Sequence, residues 1–219
     1  MRHQQFFLLS TMSQHIENTI TSLIILEKIQ PFSPENAQKN SLKSLQHSTS
    51  RNLMLLAATK MLGIEGVIQE DCPPLVYRKD KTPAPLRFSI SHRKHWVGCL
   101  ASTSSCVGFD LEIHKNRDFL THLDDLLNSQ EKAFLAHNNH SDSSAEELFY
   151  KCWTLKEALG KFHKQGWNTS NENLDLMLAS KNSELLLEHI YLQKYNLSIA
   201  YAIKKNGLIS NPEIIIINT

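Results

Sequence analysis

Val107-Gly108-Phe109-Asp110-Leu111-Glu112 is an apolar strand pattern carrying two acids, and it follows a tight serine-rich turn, Ser102 to Ser105. Alternate side chains of a strand share a face, so Asp110 and Glu112 point one way. Val107, Phe109 and Leu111 point the other way and are free to be buried. Two carboxylates at adjacent same-face positions repel each other unless a cation or a proton lies between them. Alone, the pattern fits an edge strand with a solvated face as well as it fits a hard-cation site.

A second acidic group bears on that choice. The pattern from Ser144 to Lys164 predicts a long amphipathic helix, ended by Gly166. On it Trp153, Lys156, Glu157 and Lys161 recur at i, i+3, i+4 and i+8 and lie along one stripe. Glu157 and Lys161 could be a surface ion pair worth roughly 0.3 kcal/mol. The large aromatic Trp153 argues against a fully solvated face. Three carboxylates, Asp110, Glu112 and Glu157, suit Mg²⁺, which takes oxygen ligands and keeps positions for water and phosphates. Lysines beside such an ion neutralise phosphate charge. No soft ligands converge with them, which argues against zinc.

Composition sets the frame. The chain has 219 residues, 41% hydrophobic and 21% charged, as in ordinary globular proteins. A formal net charge of +1 gives no global argument for nucleic-acid or membrane binding. Cys72, Cys99, Cys106 and Cys152 form no CxxC pair and no zinc spacing, as expected of small buried thiols in a reducing compartment. Phe6 to Leu9 is too short for a signal-peptide core, and the longest apolar runs, Leu23 to Leu26 and Ile214 to Ile217, are far shorter than a membrane span. The expected setting is cytoplasmic.

Along the chain, residues 1–30 are ambiguous between strand and helix. Ser33 and Pro34 read as a helix start, with Lys39 and Lys43 following one turn apart. A second helix is expected over Ser48 to Leu62, stopped by Gly63, and residues 64–87, with four prolines, read as loop. Arg87 to Ser91 and Trp96 to Ala101 are short strands preceding the acidic one. Phe119 to Leu135 is helical by pattern. Leu174 to Leu178, Leu185 to His189, Leu197 to Ile203 and Glu213 to Ile217 are strand candidates. The plan is α+β: two similar halves, 1–105 and 106–219, each a small mainly antiparallel sheet packed with helices.

Phe88-Ser89-Ile90-Ser91-His92 ends its strand in hydroxyls and an imidazole. No GxSxG elbow surrounds Ser91, and adjacent Ser91 and His92 point to opposite sides of a continuing strand, which argues against a serine nucleophile. An anion site is the better chemical reading, since hydroxyl, imidazole and backbone N–H groups all donate to phosphate. A packing histidine is the plain alternative.

The three segments Phe88 to His92, Val107 to Glu112 and Trp153-Thr-Leu-Lys-Glu-Ala-Leu-Gly-Lys161 together resemble the ordered signatures of the 4′-phosphopantetheinyl transferase superfamily. The resemblance covers roughly residues 32–166, and length and plan are similar to the longer, monomeric pseudo-dimer type that activates nonribosomal peptide synthetases. It implies transfer of phosphopantetheine from coenzyme A to a serine of an acyl or peptidyl carrier protein, releasing adenosine 3′,5′-bisphosphate. By motif position, Asp110, Glu112 and Glu157 would hold Mg²⁺, and Glu157 would also take the serine proton. Lys161 would neutralise a pyrophosphate oxygen, with His92, and Ser91 before it, at the coenzyme A phosphates. Lys156 is a further phosphate candidate. Arg51 resembles the 3′-phosphate arginine, assisted by Lys39 and Lys81.

Two positions depart from the family pattern. Its Gly-Lys-Pro reads Asp80-Lys81-Thr82 here, with Pro83 one place later, and this bears on the contact from Lys81. Arg93 stands where a small hydroxyl residue is common, and would either add a phosphate contact or restrict the coenzyme A pocket. A binding module for coenzyme A or carrier, and a coenzyme A pyrophosphate hydrolase on the same metal site, are the alternatives to the transferase.

Overall fold

The computed structural model describes residues 20–30, 39–70, 74–115, 119–137, 144–164, 174–205 and 210–218. The ambiguous Leu23-Ile24-Ile25-Leu26 run is strand β1 (Ser22–Lys28), and all four side chains are buried. Its apolar run is continuous because both faces are covered. Leu23 and Ile25 pack in a core with Leu53, Met54 and Ala57 of helix α1 (Lys39–Leu62). Ile24 and Leu26 pack in a second core with Phe109, Leu111, Ile199 and Tyr201. Burying such a side chain contributes roughly 1.5–3 kcal/mol, which fixes β1 centrally.

Beyond α1 come the short antiparallel pair β2 (Val67–Gln69) and β3 (Leu75–Tyr77), then β4 (Arg87–Arg93), β5 (Trp96–Ser102) and β6 (Val107–Ile113). Next are α2 (Phe119–Leu126), α3 (Ser129–His137), α4 (Ala145–His163), α5 (Leu176–Lys181), β7 (Leu185–Leu192), β8 (Leu197–Lys204) and β9 (Glu213–Asn218). One sheet runs β4-β5-β1-β9 and another β6-β8-β7; every pair is antiparallel except β1 with β9. The layers are therefore helix α1, first sheet, second sheet, helix α4. The α+β plan of small, mainly antiparallel sheets packed with helices is the observed architecture. The turn expected to divide the halves joins β5 to β6, and β9 returns to the first sheet beside β1.

Several local expectations are corrected. Lys39 to Leu62 is one helix rather than two, since the stretch holds no Gly or Pro to break it. Ser33 and Pro34 lie outside the described residues. The single helix expected over Phe119 to Leu135 is divided at Asn128. There Asn128 Oδ1 accepts from Glu131 N (2.8 Å) and Glu131 Oε2 accepts from Asn128 N (2.9 Å), a reciprocal cap that starts a new helix. Leu174 to Leu178 is not a strand, because Asp175 caps α5 by accepting from Met177 N and Leu178 N. Helix α4 starts on Ser144 as expected, but Lys164, in a left-handed conformation, ends it; Gly166 lies outside the described residues.

Candidate active site

Edge strands β4 and β6 lie side by side, and side chains join them where the two sheets meet. Ser89, Ser91 and Arg93 share one face of β4 by strand alternation. Ser89 Oγ accepts from Phe109 N (2.9 Å), and Ser91 Oγ donates to Asp110 Oδ1 (2.8 Å). Arg93 Nε stands 2.9 Å from Glu112 Oε2. That contact is an ion pair without the alignment of a hydrogen bond.

Helix α4 closes the cluster from the other face of the second sheet. Gly108 makes this possible, since a Cβ there would stand 1.9 Å from Ala158 O and 2.6 Å from Phe162 N. With the helix that close, Lys161 Nζ donates to Phe109 O (2.9 Å) and to Asp110 Oδ1 (2.8 Å). Asp110 is thus buried with one oxygen doubly satisfied. Its Oδ2 is buried with no hydrogen-bond partner among the described residues. An unsatisfied buried carboxylate oxygen costs free energy, which a cation or other ligand there would offset. Glu157 is half-buried near it. Burial first, then the charge of Asp110, raises its proton affinity above the ordinary carboxylate range, and Lys161 offsets part of this.

These donors are hard oxygens, and the Asp110 oxygen fits a divalent cation of the Mg²⁺ kind. Among the described residues, no three His, Cys, Asp or Glu converge tightly enough to hold a metal ion in this arrangement. Glu112 lies in contact with Arg93 instead.

The other sequence candidates are dispersed. Lys156, a phosphate candidate by motif, is buried against Glu131 (2.7 Å), roughly a quarter turn around α4 from Glu157. Trp153 stacks on Phe149 in the core cluster beneath α2 and accounts for its own size by packing. His92 is exposed on the face of β4 opposite Ser91. Arg51 makes a two-pronged pair with exposed Glu70, at 2.8 and 2.5 Å. Lys81 is exposed, in a left-handed conformation at the tip of the β3–β4 connection, and borders a cavity of about 420 Å³ with Tyr77 and Arg78. The side chain of Lys39 lies outside the described residues. A cavity of about 450 Å³ between α4, α5 and β7 contains none of the acidic cluster. It is lined chiefly by apolar side chains.

Sequence reasoning missed Ser89, the placement of Arg93 on Glu112, and the close approach at Gly108. The two-residue spacing Ser89, Ser91, Arg93 held the signal for the first two. Gly108 in an otherwise bulky strand held the third.

Residues 106–205 match the family model described as the 4′-phosphopantetheinyl transferase superfamily. The matched stretch holds β6, α4, β7 and β8. A Haemophilus influenzae protein named "Putative 4′-phosphopantetheinyl transferase" is 32% identical over 78 residues. That alignment covers 34% of this chain and 32% of the relative. No helix among the described residues is long and apolar enough to cross a membrane.

Proposed function

We propose that this chain transfers the 4′-phosphopantetheine arm of coenzyme A to a serine hydroxyl of an acyl or peptidyl carrier protein, with Mg²⁺ as the cation. The observation that carries the reading is the buried, unpartnered Oδ2 of Asp110, whose other oxygen is fixed by Ser91 and Lys161, inside the stretch matching the superfamily.

The serine oxygen forms a bond to the pantetheine-bearing phosphorus as the bond to adenosine 3′,5′-bisphosphate breaks. Glu157 accepts the serine proton, and its raised proton affinity brings it closer to the strength a general base needs near neutral pH. Lys161 has three N–H donors, two of them committed to Phe109 O and Asp110, which leaves one for a phosphate oxygen. Ser91 positions Asp110. Asp110, Glu112 and Glu157 would be the oxygen ligands of the ion, which requires the three to draw closer together than they stand here. When bound, Mg²⁺ would polarise the pyrophosphate and offset charge on the departing bisphosphate. His92, Arg51, Lys39 and Lys81 are the outer contacts for coenzyme A. For Arg51 this means exchanging Glu70 for phosphate, a small cost because an exposed pair contributes at most about 1 kcal/mol. One chain supplies every residue in this scheme, so a monomer suffices.

The test is intact mass spectrometry of apo acyl and apo peptidyl carrier proteins after incubation with the chain, coenzyme A and Mg²⁺, with an EDTA control. A metal-dependent gain of one phosphopantetheine arm is the expected result. Consumption of coenzyme A without that gain replaces transfer with hydrolysis. Intact coenzyme A and unmodified carriers leave a binding module.

A further inference from the structure

Along the seam, the first two side chains reaching from β4 to β6 are neutral hydroxyls, Ser89 and Ser91. The third, Arg93, is a cation set on an acid. Its partner Glu112 is only 14% exposed while the Arg93 side chain is 39% exposed, with its Nε buried against the acid, so the arginine spans from the seam to solvent. The Nε–Oε2 contact is at ion-pair distance without hydrogen-bond alignment, so its attraction is chiefly that of charge. Beside it, Lys161 already sits on Asp110. Two of the three acids therefore carry a basic neighbour, and the acidic charge of the cluster is largely balanced by the chain itself.

We infer that Arg93 is an internal counter-ion that stands in for the divalent cation at Glu112, and that it moves onto the pyrophosphate of coenzyme A when the cation arrives. The inference rests on the transferase reading above. A guanidinium is suited to the exchange, since its planar fork matches phosphate as well as carboxylate. The exchange also links two equilibria. Metal binds the free protein weakly because it must displace Arg93, and coenzyme A strengthens metal binding by giving the displaced guanidinium a partner. By linkage, metal strengthens coenzyme A binding by the same factor. Arg93 is then a positioning residue that makes the two bind together.

The experiment titrates the full chain with Mn²⁺, following free Mn²⁺ by electron paramagnetic resonance, with and without coenzyme A. It compares wild type with Arg93→Met, which keeps bulk and loses charge, and Arg93→Lys, which keeps charge. Without coenzyme A, Arg93→Met should bind Mn²⁺ about five-fold more tightly, the effect expected for removing one partly exposed competing charge. Coenzyme A should enhance Mn²⁺ affinity less in Arg93→Met than in wild type, with Arg93→Lys close to wild type. A merely structural third rung predicts the opposite direction, since loosening the seam would weaken Mn²⁺ binding. Equal or weaker affinity in Arg93→Met therefore overturns the inference alone. No Mn²⁺ binding by any of the proteins, even with coenzyme A, overturns the metal reading itself and this inference with it.

Discussion

Helix α4 carries two lysine–carboxylate pairs of opposite character. Lys156 and Glu131 are 2.7 Å apart and both almost fully buried, at 6% and 3% side-chain exposure. Neither carries a buried, unpartnered side-chain atom among the described residues. Glu131 also accepts from Asn128 N and Leu176 N, and Asn128 Nδ2 donates to Asp175, the cap of α5. Lys161 and Asp110 are 2.8 Å apart, but Lys161 is 32% exposed and Asp110 keeps a buried oxygen with no hydrogen-bond partner among the described residues. The first pair is a closed joint between α3, α4 and α5. The second is an open one. A lysine opposite an acid does not by itself mark a site; an acid left incompletely satisfied is what distinguishes the second pair.

The largest effect expected is at the open pair. Asp110→Ala should lower kcat/KM for carrier modification by about 10³-fold, the loss typical when a preorganised charge on the reacting group is removed. Lys161→Ala should lower kcat more than it weakens coenzyme A binding, as for a contact that strengthens in the transition state. Unchanged turnover of Asp110→Ala at ordinary Mg²⁺ would make Asp110 a structural strand residue and erase the contrast.

At the closed pair the effects reverse. Lys156→Met strands the Glu131 charge among backbone N–H groups and should cost about 3 kcal/mol of stability, as breaking a buried pair does. The folded fraction should keep its turnover. Denaturant midpoints and kcat corrected for folded protein measure both. A loss of kcat beyond the loss of fold would return Lys156 to the phosphate site, where its helical spacing alone had put it.

That placement shows what the sequence holds. Spacing puts Lys156, Glu157 and Lys161 on neighbouring parts of one helix, but which lysine faces an acid of β6 depends on how α4 rotates against the sheet. Gly108 sets that contact, and nothing in the helix itself records it. The strand character of β4, β5 and β6 was readable because their polar and apolar residues alternate or their runs are short. β1 was not readable, because a strand buried on both faces has no alternation to distinguish it from a buried helix. The division at Asn128 was legible in principle, since an Asn followed three residues later by Glu is a capping pattern, but the apolar periodicity on either side masked it. The chemistry of Asp110 was visible as a motif, whereas its second support, Ser91, required the meeting of two sheet edges far apart in sequence.

The smallest effect expected is the most direct test of how open the Asp110 pair is. Burial and the Asp110 charge raise the proton affinity of Glu157, and Lys161 opposes them. In the unfolded chain this carboxyl has its ordinary value, so between the unfolded and folded values the folded protein holds the extra proton. Stability contributed by this group is therefore present below the unfolded value, falls as pH rises through that window, and stays lost above it. Urea midpoints measured across the acidic range in EDTA should show this decline, and Glu157→Gln should remove it. Asp110→Asn should narrow the window by deleting the repelling charge, and Lys161→Met should widen it by deleting the offset. A midpoint profile identical in wild type and Glu157→Gln would mean that burial and Asp110 together do not raise the proton affinity of Glu157. The general-base role would then lose its electrostatic basis, even with the carboxylate cluster intact.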